Sequence, residues 1–129
     1  METPARATVL IVDDTADNLS LIGDFLKDLY QIKAANNGAA ALRIALSDYP
    51  PDLILLDIMM PEMDGYEVCE RLKRDPSTRT IPVVFLTGRA ESADREKGLA
   101  LGAVDYITKP IEPAVVLKQV ATHLKGQAG

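Results

Sequence analysis

The chain has 129 residues, 47% of them hydrophobic and 26% charged, with a formal net charge of −5. That length suits one domain able to bury roughly two-thirds of its unfolded surface without staples, and the acid excess argues against direct nucleic-acid binding, which needs clustered Lys and Arg. One cysteine, Cys69, excludes a disulfide framework and, with the single His123 distant in sequence, leaves no Cys-His nucleophile pair. The opening METPARAT is too short and polar for a signal peptide, and no apolar run is long enough to span a bilayer, so no membrane partner and a cytoplasmic location are expected.

Along the chain, ATVLIV (7 to 12) reads as a strand buried on both faces. Leu19, Ile22, Leu26 and Leu29 then recur at helical steps of three and four. YQIKAA (30 to 35) is a weaker strand, and a helix is expected over about 38 to 48. DLILLD (52 to 57) is a second fully buried strand, followed by a helix over 65 to 74. IPVVFLT (81 to 87) is a third, followed by a helix over 91 to 101. AVDYIT (103 to 108) is the last strand, and Leu117, Val120 and Leu124 mark the last helix. Asn37-Gly38, Pro50-Pro51, Asp75-Pro76 and Gly102 fall where turns are needed. Alternation of this kind predicts one α/β domain over residues 7–125 with a parallel sheet, flanked by flexible termini at 1–6 and 126–129.

Ligands and reactive groups of an open α/β sheet lie beyond the carboxyl ends of its strands. There the sequence places Asp13 and Asp14, Asp57, Thr87 and, just after the last strand, Lys109. Each has an ordinary reading taken singly: Asp13-Asp14 as a helix cap, Asp57 as a turn former, Thr87 as a strand-end residue, Lys109 as a solvated charge. Jointly, three carboxylates repel one another unless a hard cation sits among them, and Mg²⁺ accepts such a set together with a phosphate. With a lysine beside it, a carboxylate nucleophile is suited to receive a phosphoryl group as an acyl phosphate. The residues therefore predict a Mg²⁺-dependent aspartyl-phosphate site at Asp57.

VDD (12 to 14), LLDIMMPEMDG (55 to 65), FLTG (85 to 88) and GAVDYITKPI (102 to 111) together resemble the receiver domain of bacterial two-component response regulators, CheY-like in kind. The resemblance implies a flavodoxin-like (βα)₅ three-layer sandwich with strand order 2-1-3-4-5, an order that the general rule for such folds already states for this family's chemotaxis member. It implies Asp57 as acceptor of a phosphoryl group from a histidine kinase or phosphotransfer protein. Asp14 would ligate Mg²⁺ directly, Asp13 mostly through water, and Met59 through its main-chain carbonyl. Thr87 and Lys109 would contact the phosphoryl oxygens, Tyr106 would be the switch aromatic that moves inward with Thr87, and the Lys109-Pro110 bond would be cis. Met59 and Arg89, each two residues beyond a site residue, would tune hydrolysis. The face made by helix 4, strand 5 and helix 5 would control a homodimer partner or a fused effector domain.

Two alternatives compete. A flavodoxin's first loop must cradle an anionic phosphate, which Asp13-Asp14 would repel. A haloacid-dehalogenase-like Mg²⁺-dependent phosphatase also uses an Asp nucleophile, but resembling it requires a second Asp two residues later, where Met59 stands. The chain is thus expected to perform phosphotransfer on itself and not to act as an enzyme. His123 reads as an ordinary surface or partner-face residue, Cys69 as structural, and the Met59, Met60 and Pro61 side chains as loop packing. KGQAG follows the last helix without an effector domain, which fits either a stand-alone receiver or a piece of a longer protein. The stretch from 93 to 124 is similar to receivers fused to sensor kinases, diguanylate cyclases or cyclic di-GMP phosphodiesterases, and less like those fused to DNA-binding domains.

Overall fold

Each apolar run becomes a strand of one parallel sheet, and each helical period becomes a helix packed on it. The computed structural model describes residues 6–88 and 92–125. In chain order these form β1 (Thr8–Val12), α1 (Ala16–Leu26), β2 (Gln31–Ala35), α2 (Gly38–Ala45), β3 (Leu53–Asp57), α3 (Gly65–Arg74), β4 (Val83–Thr87), α4 (Ser92–Ala100), β5 (Asp105–Thr108) and α5 (Pro113–Lys125). The sheet order is β2-β1-β3-β4-β5, all parallel, as the resemblance implies.

Strand side chains alternate between faces, and the core divides accordingly. Leu10, Val12, Ile54, Leu56, Val83 and Phe85 bury against Val68, Cys69 and Leu72 of α3 and Ala41 and Ala45 of α2. Val9, Ile11, Leu53, Leu55, Val84 and Leu86 bury against Ile22 and Leu26 of α1 and Val116 and Val120 of α5. Burial on both faces explains why β3 and β4 read as unbroken apolar runs. A methylene of burial is worth about 0.8 kcal/mol, so a one-residue slip of either strand would swap its two faces and misplace every side chain beyond it.

The helices start and stop for local reasons. Asn37 and Asp64 cap α2 and α3, accepting hydrogen bonds from the N–H groups of Ala40 and Glu67. Pro113 occupies the first position of α5, where its missing N–H costs nothing. The stripe through Leu29 overshoots: α1 ends at Leu26, and Leu29 is 59% exposed. Likewise α2 ends at Ala45, leaving Leu46 on the surface. Arg89 and residue 91 of the expected fourth helix lie outside the described residues, as do 1–5 and 126–129 of the termini.

Candidate functional site

The parallel register brings the carboxyl ends of the strands to one edge: Val12 pairs with Leu56, Asp57 with Leu86, and Thr87 with Thr108. Asp13, Asp57 and Thr87 are therefore buried at 0%, 2% and 8% exposure, while Asp14 faces solvent. Carboxylate oxygens of Asp13, Asp14 and Asp57 all lie within 4.8 Å of one another. Lys109 reaches back from the end of β5, its main-chain N–H bonded to the Thr87 carbonyl at 2.7 Å. Its Nζ donates to Asp57 Oδ1 at 3.2 Å and lies 3.5 Å from Asp13 Oδ2. The peptide bond between Lys109 and Pro110 is cis.

The surroundings of Asp57 bear on its charge. Burial pushes its carboxyl above the usual carboxylate range and the Asp13 charge pushes further, while Lys109 and a backbone hydrogen bond from Met59 oppose the rise only in part. A buried carboxylate short of positive charge, beside two more carboxylates, is a donor set that fits a hard divalent cation. The bound group would supply the missing charge and draw phosphoryl oxygens toward Asp57.

The β3–α3 loop is built around the same residue. Gly65 donates to the Ile58 carbonyl at 2.8 Å, and Met63 to that of Pro61 at 2.8 Å. Met60 packs into the core at 8% exposure, whereas Met59 stands out at 78%, so loop packing accounts for the first side chain and not the second.

One contact has no counterpart in the sequence reading. Both oxygens of Asp13 are held by protein donors: Oδ1 by the Thr15 N–H at 2.9 Å, and Oδ2 by the Asn18 side-chain amide at 3.1 Å. The bond from the Thr15 N–H closes a turn before α1 and is not the helix cap expected of Asp13-Asp14, since the N-cap is Thr15 and no side chain caps the helix; Asn18 adds a bond from the first turn of α1 into the site. A polar amide five residues after Asp13, on a helix face otherwise apolar at Leu19, Ile22 and Leu26, is the only signal that could have pointed to it.

Away from the carboxylates, Tyr106 pairs in register with Phe85, and its hydroxyl oxygen is shielded from solvent. The Phe85 ring meets Tyr66 of α3 edge-on with centroids 5.4 Å apart, and Lys97 Nζ of α4 lies 4.3 Å from the Tyr66 centroid. On α5, His123 Nε2 pairs with Asp105 Oδ2 at 3.1 Å and joins that helix to β5.

Residues 9–121 match the family described as the response regulator receiver domain. The chain belongs to that family. It is 48% identical over 127 residues to a protein of Vibrio cholerae named "Probable cyclic di-GMP phosphodiesterase", which takes in 98% of this chain and 29% of that protein. It is 44% identical over 115 residues to the response regulator PleD of Caulobacter vibrioides, taking in 88% of this chain and 25% of PleD. The chain therefore spans under a third of these relatives. Among solved structures it is similar to the chemotaxis response regulator CheY4 of Vibrio cholerae, with a TM-score of 0.87, 28% identity, and 92% and 99% of the two chains covered. It is also similar to the receiver domain of a signal transduction histidine kinase from Syntrophus aciditrophicus, at 0.82, 39% identity, and 93% and 91% covered. As a receiver domain it is a phosphoacceptor switch of two-component signalling; the phosphatase alternative gains no support. No helix among the described residues is long and apolar enough to cross a membrane.

Proposed function

We propose that this receiver domain takes a phosphoryl group on Asp57 from a histidine kinase or a phosphotransfer protein, with Mg²⁺ held by Asp13, Asp14, Asp57 and the main-chain carbonyl of Met59. The observation that carries this reading is the placement of Asp57: buried, short of positive charge, and in contact with the one ammonium that reaches the site among the described residues. An oxygen of the Asp57 carboxylate forms the new bond to phosphorus while the bond from phosphorus to the donor histidine nitrogen breaks, and the imidazole leaves with the electron pair. Lys109 and Thr87 receive the phosphoryl oxygens.

The chain acts on itself in this scheme and is not an enzyme toward other substrates, with water slowly cleaving the acyl phosphate. Its output is a population shift, driven only by the difference in phosphate affinity between two arrangements of Thr87 and Tyr106. Leu99, Val104 and Val115 are exposed on α4, the turn before β5 and α5, which supports that face as the surface for a second receiver or a fused effector domain. Relatives in which the matching segment is a fraction of a longer protein support the fused arrangement. We place the chain in the cytoplasm, where a kinase's phosphohistidine is available.

Intact-protein mass after incubation with acetyl phosphate tests the assignment. One phosphoryl adduct is expected with Mg²⁺ and none with EDTA or in Asp57→Asn. An adduct that persists in Asp57→Asn would sink the choice of nucleophile.

A further inference from the structure

Asp13 and Asp14 are adjacent in sequence but differ in every respect that matters to a cation. Asp13 is fully buried, and its two oxygens already accept from the Thr15 N–H, the Asn18 amide and, at longer range, Lys109. Asp14 is exposed and has no such bonds among the described residues. A carboxylate oxygen engaged by a donor keeps one lone-pair direction for anything else, and its plane is fixed by that bond. The Thr15 N–H holds only Oδ1. Without Asn18 the carboxylate could turn about its Cβ–Cγ bond, and Oδ2 would have only Lys109 to restrain it, a residue that also serves Asp57 at 3.2 Å.

We propose that Asn18 is a positioning residue of the cation site, whose side-chain amide locks the Asp13 carboxylate and so sets the affinity for Mg²⁺. This rests on the metal reading of the three aspartates. Groups that orient a metal's carboxylates from behind are worth about 10-fold to 100-fold in metal affinity, and Asn18 belongs at the lower end because Thr15 shares the task.

Titration calorimetry with MgCl₂ on the full chain decides it, together with thermal unfolding in EDTA. Asn18→Leu keeps the volume and removes the donor; it should weaken Mg²⁺ binding about 10-fold, and because the buried Asp13 Oδ2 loses a donor, unfolding in EDTA should shift modestly to lower temperature without loss of the fold. Asn18→Gln retains an amide and should recover most of the affinity. Mg²⁺ binding by Asn18→Leu within twofold of the unaltered chain would overturn the proposal, as would Asn18→Gln binding no better than Asn18→Leu. Should the unaltered chain itself fail to bind Mg²⁺, the metal reading falls and this inference with it. If Asn18→Leu does not fold, Asn18→Ala, which also removes the donor, takes its place under the same two criteria.

Discussion

Gly65 lies against the main chain of Asp57 so closely that a Cβ built on Gly65 would overlap the Asp57 carbonyl oxygen and come within 2.8 Å of the Ile58 Cα. Both obstacles are backbone, and the Gly65 N–H is committed to Ile58 at 2.8 Å, so neither side can give cheaply. Gly65→Ala should therefore cost about 1–3 kcal/mol of stability, the range for overpacking a filled interior. It should also slow adduct formation from acetyl phosphate, since the strand end that must move carries the acceptor. Urea unfolding and adduct mass, measured together, check both; normal values for each would refute the contact.

Asp57 gives a pH dependence whose sign is fixed. Its carboxyl is raised in the fold from an unfolded value near 3.8, so between those two values the folded chain binds more protons than the unfolded one. Stability then falls as pH rises through that window. At neutral pH without metal, Asp57→Asn should melt at a higher temperature than the unaltered chain, and the difference should vanish below about pH 3.8, where both forms are uncharged. Mg²⁺ should raise the melting temperature of the unaltered chain more than that of Asp57→Asn. An Asp57→Asn variant that melts lower at pH 7 would mean that the Lys109 pair outweighs burial.

Lys73 fastens α3 to the loop before β4. Its Nζ donates to the carbonyls of Ile81 at 2.7 Å and Arg79 at 3.0 Å, and its stem packs beneath Gly102. Burial lowers the pKa of this ammonium. Lys73→Met keeps the stem and orphans the carbonyls, which should cost about 1–3 kcal/mol in urea unfolding. Adduct formation should be unchanged, because the change lies at the opposite end of the strands.

The exposed Met59 side chain stands two residues from the acceptor, and Arg89 occupies the matching position after Thr87. If they obstruct the approach of water to phosphorus, Met59→Ala and Arg89→Ala should each shorten the lifetime of the adduct, with a rough expectation of threefold or more at about 0.7 kcal/mol per factor of three. Decay followed by mass after removal of acetyl phosphate checks this, and unchanged decay rejects it.

Lys97 over the Tyr66 ring, with Tyr66 edge-on to Phe85, links α4 to the strand that pairs with Tyr106. Lys97→Met should lose about 0.5–1 kcal/mol of stability. If α4 moves in signalling, it should also change the ratio of dimer to monomer in the phosphorylated chain, which sedimentation can measure.

The core and the site ends were legible because burial on both faces leaves a continuous apolar run, and a charge at the end of such a run stands out. Leu29, which extends a helical stripe past the end of α1, and the second helix, expected to reach 48 but ending at Ala45, show where pattern reading fails, since spacing alone cannot register the end of packing. Asn18 and Lys73 were illegible for a different reason. Their partners are a side chain five residues off and two loop carbonyls, contacts set by rotamers and by the path of the loop, neither of which leaves a periodic trace.

The site draws on Asp13, Asp57, Thr87 and Lys109, the ends of four different strands. Lys109 follows the edge strand β5, whose other face is covered by α5. On a ribosome, the acidic cluster would emerge long before the residue that tempers it, and pairing of sequence-distant parallel strands is slow. A nascent or truncated chain would therefore carry the carboxylates without their ammonium, and only the finished domain would be competent to receive a signal.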